Sequence, residues 1–422
     1  MVENEVYNED MRIVRSREQL DGRPTIRSFF NKDGLLLKTY GWIVRNAVGI
    51  IVLIHGLNSH TRFSFLRHNV HVLNNNRALL MDGNNFYVYK DSWIEHFNKN
   101  GYSVFGLDLQ GHGESQGWEN LSLNVNKFDD LVYDVLDYIP KIQDDSIRYL
   151  NEDRNRNSSS SNSGNGSNSG NGSNSGNGSN SGNGSNSSNS SNSTNSSNSS
   201  SSNIRGSESS RNNNLANRIT APLPVYLIGQ SMGGNVALRA LQIVGKYRGL
   251  NRRLNIRGCV SLSGMIAIEP LGVPSSYTYK CFFMPLSRIF SDFLPTLRIL
   301  CELPYKTFQY VRDIGRYDRM RCRRGITCRF AYEILKAMDN LDYDMRYMPR
   351  DIPILFIHSA RDRLCYPEGV VSFYNRLNIA NKELHMLDYM EHMLTMEPGN
   401  ERVLNKIMNW LQNVSGPRRI CA

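Results

Sequence analysis

Short apolar runs that end in polar loops, helical periodicity between them, and one glycine-flanked serine at a strand-to-helix turn predict an α/β fold. The expected architecture is a mostly parallel sheet with helices on both faces. Residues 25–30 and 35–42 flank Asn31-Lys32-Asp33-Gly34, and Asp-Gly between apolar runs predicts a β-hairpin. Residues 47–54 are the next strand, ending in His55-Gly56-Leu57-Asn58-Ser59-His60. Residues 102–109 form another and close on Gln110-Gly111-His112-Gly113. Phe128, Leu131, Val132, Val135, Leu136 and Ile139 recur at helical spacing, which makes 128–142 a helix. Further strands are expected at 224–228, 256–262, 352–358 and 382–389, and an amphipathic helix at 402–414.

Two segments interrupt this alternation. Ser, Asn and Gly dominate residues 151–214, with Gly-Asn-Gly-Ser-Asn-Ser repeating every six residues. Such a segment cannot bury enough apolar surface to offset its chain entropy, so it is expected to be disordered. A long insertion in a surface connection costs little, because closure entropy grows only logarithmically. Residues 265–349 contain the aromatic, Pro-interrupted stretch Tyr279-Lys280-Cys281-Phe282-Phe283-Met284-Pro285-Leu286 and read as an inserted helical cap. Its apolar face is expected to pack on the core, line a pocket or touch a membrane. The core then comprises residues 1–264 and 350–422, divided by the cap at 265–349. Without the polar segment about 350 residues remain, enough for one large α/β domain with a lid.

Composition narrows the setting. No run approaches the ~18 apolar residues of a membrane span, and the polar start Met1-Val2-Glu3-Asn4-Glu5 shows no secretory signal. Seven cysteines without C-x-x-C spacing fit reduced thiols, and a cytoplasmic location is expected. The net charge of +10 is concentrated in Arg312, Arg316, Arg319, Arg321, Arg323, Arg324 and Arg329 and in Arg248, Arg252, Arg253 and Arg257. These clusters are read either as attraction to an anionic membrane surface or as a solvated basic face. Aromatics do not interleave with them as an RNA-binding strip requires, so nucleic acid is not an expected partner.

The chemistry centres on Gly229-Gln230-Ser231-Met232-Gly233, which sits between an apolar strand and a helical stretch. This context makes a G-x-S-x-G match a nucleophile elbow, with the serine exposed at the head of a helix. A hydroxyl needs a base to become a nucleophile, and the base needs an acid to orient it. In this type of fold they follow the serine in the order acid, then histidine. His392 lies in the loop after the last strand and is preferred to His385, which falls inside that strand. Asp362 directly follows a strand and is preferred to Asp351 and Asp388. Ser231, Asp362 and His392 would then share one edge of the sheet. The backbone amides of Met232 and Leu57 are the expected oxyanion donors, and His55 is expected to brace its loop rather than catalyse. Gly111-His112-Gly113-Glu114-Ser115-Gln116-Gly117 has the wrong spacing for a phosphate loop. His55 with His60 and His68 with His71 lack a third ligand, so no metal is expected. No cofactor is needed for this chemistry.

The His55-Gly56 loop, Asp108-Leu109-Gln110-Gly111-His112-Gly113-Glu114-Ser115, Gly229-Gln230-Ser231-Met232-Gly233-Gly234, Asp362-Arg363-Leu364-Cys365 and Glu391-His392 together resemble the monoacylglycerol lipase and lysophospholipase branch of the α/β hydrolases. The Asn-rich insertion and Lys90-Asp91-Ser92-Trp93-Ile94-Glu95 look like the lysophospholipase group of malaria parasites. The resemblance implies an α/β-hydrolase fold and a serine hydrolase of single-chain glycerolipids, with Ser231, Asp362 and His392 as triad. It also implies a thiol, Cys365, near the acyl pocket; a buried small apolar side chain is the other reading of that residue. Residues 66–89 and the long, Arg-rich cap depart from the animal monoacylglycerol lipases. The alternatives are a general esterase or thioesterase of non-lipid acyl compounds, or a catalytically silent fold that binds lipid or a partner.

Overall fold

Eight strands build one sheet: β1 (Thr25–Phe30), β2 (Leu36–Trp42), β3 (Gly49–Ile54), β4 (Tyr102–Leu107), β5 (Val225–Gln230), β6 (Ile256–Leu262), β7 (Ile354–Ser359) and β8 (Lys382–Leu387). The structure, a computed structural model, describes residues 19–160, 222–247, 249–268, 276–299 and 305–416. The strand order is β1-β2-β4-β3-β5-β6-β7-β8. β2 pairs antiparallel with β1 and with β4; every other pairing is parallel. The parallel strands therefore bring their carboxyl ends to one rim, where open α/β sheets place their ligands.

Period-two alternation divides the strand side chains between two cores. Ile50, Val52 and Ile54 of β3, Val225 and Leu227 of β5, and Ile354 and Phe356 of β7 enter one core. That core also holds buried side chains of α3 (Phe128–Ser160), α4 (Met232–Lys246), α7 (Cys328–Tyr343) and α8 (Pro367–Arg376). The intervening Ile51, Leu53, Tyr226, Ile228, Leu355 and Ile357 enter the other, with Phe65 of α1 (Thr61–Phe65) and side chains of α2 (Trp93–Lys99) and α9 (Asn400–Val414). Strands buried on both faces read as the continuous apolar runs seen in the sequence. Each fully buried Val, Leu, Ile or Phe contributes roughly 1.5–3 kcal/mol.

Between β6 and β7 the alternation gives way to an inserted helical region with α5 (Met284–Phe293), α6 (Tyr310–Tyr317) and α7. The stretch at 66–89 contains a hairpin, Val70–Asn74 with Arg77–Leu80. Its Ala78 and Phe86 pack with Phe63 and with Tyr310, Val311 and Ile314 of α6. Residues 269–275 and 300–304 of the expected cap lie outside the described residues.

α3 is longer than the sequence pattern indicates. Its backbone continues from 142 to Ser160, ten residues into the segment expected to lack structure. The chain there still carries residues compatible with a helix, and each added residue gains a hydrogen bond once the helix is nucleated. The rest of that segment, 161–214, lies outside the described residues. Met1–Ser146 with Pro222–Ala422 makes one compact unit and Ile147–Ala221 another. Among the described residues, no helix is long and apolar enough to cross a membrane. The described cysteines Cys259, Cys281, Cys322, Cys328 and Cys365 are free thiols.

Candidate active site

Ser231 stands between the end of β5 and the start of α4 with φ 55° and ψ −120°. A side chain in that conformation is strained, and the strain persists only where surrounding packing enforces it. Three glycines do so. A Cβ on Gly229 would strike the Gly233 carbonyl, and one on Gly233 would strike the carbonyls of Ile54 and His55. At Gly56 a Cβ would lie 3.1 Å from the Ser231 Cβ. The Ser231 amide donates to the Leu262 carbonyl at 2.8 Å, which fixes the turn to β6.

The Ser231 hydroxyl lies 2.9 Å from His392 Nε2, and His392 Nδ1 lies 2.8 Å from Asp362 Oδ2. All three residues are buried. The structure thus brings together the three side chains singled out in the sequence, 161 residues apart for the first pair and 30 for the second. His385 stays within β8, paired with Ile357.

Each member is held from behind. Asp362 Oδ1 accepts the amides of Leu364 and Cys365, both at 2.9 Å, leaving Oδ2 for the imidazole. Burial pushes the Asp362 carboxyl up, but the charge and hydrogen bond of His392, with His358 and the Cys365 amide, bring it below its usual value. Burial likewise pulls the His392 imidazole down, and the charge and hydrogen bond of Asp362 outweigh it, with Glu397 adding to them. The imidazole is therefore a stronger base than an ordinary histidine.

Two carboxylates to which the sequence reading gave no role, Glu391 and Glu397, fix the His392 loop. Glu397 accepts the amides of Met393, at 2.7 Å, and of Glu391, one on each side of the imidazole. Glu391 accepts the amides of Lys306, Thr307 and Phe308 at 3.0–3.2 Å, tying the loop to the inserted region. Glu391 sits beside His392 in the sequence, but the amides that donate to it lie more than eighty residues away, so spacing gave no signal for it.

Of the two expected oxyanion donors, Met232 directly follows Ser231 in the chain and Leu57 lies in the loop after β3. Met232 opens α4, where free amides and the helix dipole favour negative charge. Leu57 lines the same cavity as Ser231 and His392. Among the described residues neither amide donates to another group. His55 accepts the Leu109 amide at Nε2 (2.9 Å), so its Nδ1–H donates to the Gly56 carbonyl (2.8 Å). Burial lowers it to about 3, so it is a neutral brace of the loop, as its position suggested.

The cavity above Ser231 has a volume of about 780 Å³, the size of a small-ligand site. Leu123, Met265, Ile268, Ile326, Ile334 and Leu335 give it apolar walls. Cys365 also lines it, with its sulfur within 4.8 Å of a carboxylate oxygen of Asp362 and a ring nitrogen of His392. Burial and the nearby Asp362 push that thiol well above its usual value, so it is protonated.

A mostly parallel sheet with a serine at a strained strand-to-helix turn, hydrogen-bonded to a histidine and a carboxylate on the same rim, defines an α/β hydrolase of the serine-hydrolase kind. Residues 84–150 and 211–399 match the Hydrolase_4 family, described as serine aminopeptidase S33, and the chain belongs to that family. The monoglyceride lipase of Homo sapiens is 25% identical over 179 residues, which are 42% of this chain and 53% of that protein. That of Rattus norvegicus is 25% identical over 205 residues, 46% of this chain and 62% of the relative. The chain thus spans between a half and two thirds of the length of these relatives. A soluble variant of monoglyceride lipase from Saccharomyces cerevisiae, in complex with a substrate analog, superposes with a TM-score of 0.59 at 15% identity, covering 96% of this chain and 99% of that one. A carboxyl esterase from Bacillus coagulans, in complex with glycerol, gives 0.55 at 13% identity, covering 93% and 99%. At these identities the likeness is one of fold.

Proposed function

We propose that this chain is a serine hydrolase that cleaves the acyl esters of single-chain glycerolipids, lysophospholipids or monoacylglycerols, through an acyl-enzyme. The observation that carries the reading is the hydrogen-bonded chain from Ser231 through His392 to Asp362 at the floor of a largely apolar cavity. Ser231 attacks the ester carbonyl while His392 takes its proton and passes it to the glycerol oxygen that leaves. Asp362 holds Nδ1–H and stabilises the imidazolium. The amides of Leu57 and Met232 receive the oxyanion, each worth ~2.7–4 kcal/mol of barrier. Water, deprotonated by His392, then attacks the acyl-enzyme and releases the fatty acid.

The lipid part of the reading draws on the apolar cavity, on the names of the monoglyceride lipase relatives, and on the sequence resemblance to the malaria-parasite lysophospholipases. The same reading has the enzyme in the cytoplasm, peripheral to membranes. Phe282, Ile289, Phe290 and Phe293, on α5 and just before it, expose apolar surface beside Lys280 and Arg288, a combination suited to an anionic lipid surface.

The test joins labelling and substrate length. Wild-type protein is expected to react with a fluorophosphonate probe, and Ser231→Ala to lose the label. Rates on 1-acylglycerols and on lysophosphatidylcholine are expected to rise from acetyl to long acyl chains. A wild-type chain that does not label would sink the hydrolase; rates indifferent to chain length would sink the lipid substrate.

A further inference from the structure

Four of the clustered arginines, Arg312, Arg316, Arg321 and Arg323, line the cavity that holds Ser231 and His392, and among the described lining residues there is no aspartate or glutamate. Arg312 and Arg316 stand one turn apart on α6, so they share a face. Arg316 has Asp313 at 3.7 Å. The hydrogen bonds of the other three go to neutral oxygens: Arg312 to the Gln309 side chain, Arg321 to the Asn58 carbonyl, and Arg323 to the Arg316 carbonyl.

Arg321 is the best-built member of the group. Its guanidinium stacks 5.0 Å above the Phe63 ring. It also packs against α6 at Gly315, where a Cβ would lie 1.9 Å from the Arg321 guanidinium as it stands. A glycine inside a helix costs roughly 1 kcal/mol against alanine, and here it makes room for a cation. Among the described residues no carboxylate lies within ion-pair distance of this guanidinium. Beside it in the lining is Tyr305, whose buried hydroxyl has no hydrogen-bond partner among the described residues. Arg312 and Arg321 are half-buried, Arg316 and Arg323 exposed, and the charge of Asp318 acts on Arg321 without pairing with it; a half-buried cation without an ion-pair partner is costly. A guanidinium fork matches the oxygens of an anion two at a time. Ester hydrolysis uses the carbonyl end of the lipid at Ser231, and the strong anion left on a single-chain glycerolipid is its phosphate.

We propose that Arg321 and Tyr305, with Arg312, Arg316 and Arg323, form an anion subsite for the phosphate of a single-chain glycerophospholipid, so that phosphate-bearing head groups are favoured over neutral monoacylglycerols. The assignment rests on the lipid-ester reading above and specifies its substrate.

Two ether lipids that cannot be hydrolysed, 1-O-hexadecylglycerol 3-phosphate and 1-O-hexadecylglycerol, test it as inhibitors of p-nitrophenyl butyrate hydrolysis. The ether phosphate is expected to inhibit about tenfold more tightly than the neutral ether lipid, the size of one charge-assisted hydrogen bond. That ratio is expected to fall toward one in Arg321→Gln and to drop in Tyr305→Phe and in Arg312→Gln/Arg316→Gln. Using the ratio cancels any change in basal rate. Raising salt from about 0.05 to about 0.5 M should weaken the ether phosphate alone. A ratio near one in the wild type, or one unchanged in both arginine variants, overturns the subsite. Inorganic phosphate inhibiting as tightly as the ether phosphate would make this a free-ion site and overturn the lipid assignment. If neither ether lipid inhibits while the butyrate ester is still cleaved, the lipid-ester reading itself has failed.

Discussion

At the scale of single residues the site depends on the direction in which His392 is polarised. Asp362 receives Nδ1–H, which leaves the Nε2 lone pair for the Ser231 proton. Asp362→Asn keeps the shape but presents an N–H donor to Nδ1, forcing the wrong tautomer. The expected outcome is a fall in kcat on the order of 10⁴-fold with little change in thermal midpoint, read by ester hydrolysis and by probe labelling rate. The pH profile carries a second expectation. The base must be neutral, and Asp362 holds the imidazole above its usual value of 6.5. Activity should therefore rise with pH on a limb centred above 6.5, and a limb centred below it would show that burial, not Asp362, sets the imidazole. The convergence of Ser231, Asp362 and His392 was legible in the sequence because each stands in the turn or loop after a strand, and parallel strands deliver such residues to one rim. Glu397 was not: its role is to accept two amides around His392, and nothing in residue spacing marks a buried carboxylate as an acceptor for backbone.

At the scale of elements, local chemistry decided what could be read. The hairpin, β6 and the elbow carry their signals within a few residues, and their expected and observed bounds agree closely. α2 was missed although Ser92 caps it by accepting the Glu95 amide at 3.2 Å, a Ser-x-x-Glu box present in the sequence. α8 likewise opens on Pro367. Both are short, and apolar periodicity over so few residues is weak. The elbow itself is unforgiving: Gly233→Ala drives a methyl into the β3 backbone, and a loss of about 1–3 kcal/mol with weakened probe labelling is expected. α3 offers a pH test. Asp134 Oδ1 accepts Asn31 Nδ2 at 3.0 Å, while its buried Oδ2 has no partner among the described residues. Burial raises the carboxyl to about 7; Asp130 adds to the rise, while Asn31 and Lys32 oppose it. The folded state prefers the neutral acid, so its contribution is complete below the unfolded value of 3.8 and is lost as pH climbs through about 7. Asp134→Asn should remove that dependence, leaving the wild type less stable than the variant at pH 8 by on the order of 2 kcal/mol. Denaturant midpoints at pH 4 and 8 measure it, and parallel curves for the two proteins would contradict it.

At the scale of the whole molecule, the inserted region does more than roof the cavity. Asp318, just beyond α6, bonds His60 Nε2 at 2.9 Å, both side chains fully buried, and the Tyr87 hydroxyl donates to Asp318 at 3.1 Å. Asn58 is tied twice to Cys322, donating to its carbonyl at 3.0 Å and accepting its amide at 3.1 Å. Residues 318–322 are thus bound to Asn58 and His60, the part of the loop that directly follows Leu57, the proposed oxyanion donor. None of this was visible in the sequence, where His60 and Asp318 stand 258 residues apart and His60 read, with His55, only as a pair lacking a third metal ligand. Burial pushes Asp318 up, yet the hydrogen bond and charge of His60 prevail and draw it down to about 2. Its contribution to stability is therefore present above 3.8 and lost only as pH falls through about 2. Asp318→Ala leaves the buried His60 with only the Tyr87 hydroxyl at Nε2, 3.1 Å away, and a loss of about 1–3 kcal/mol is expected near neutral pH. The kinetic consequence separates a roof from a positioning device. If residues 318–322 hold the Leu57 amide in place, the folded variant should lose kcat with KM little changed, because an oxyanion donor acts mainly in the transition state. Stability lost with kcat intact would mean that the loop around Leu57 is set by the sheet alone.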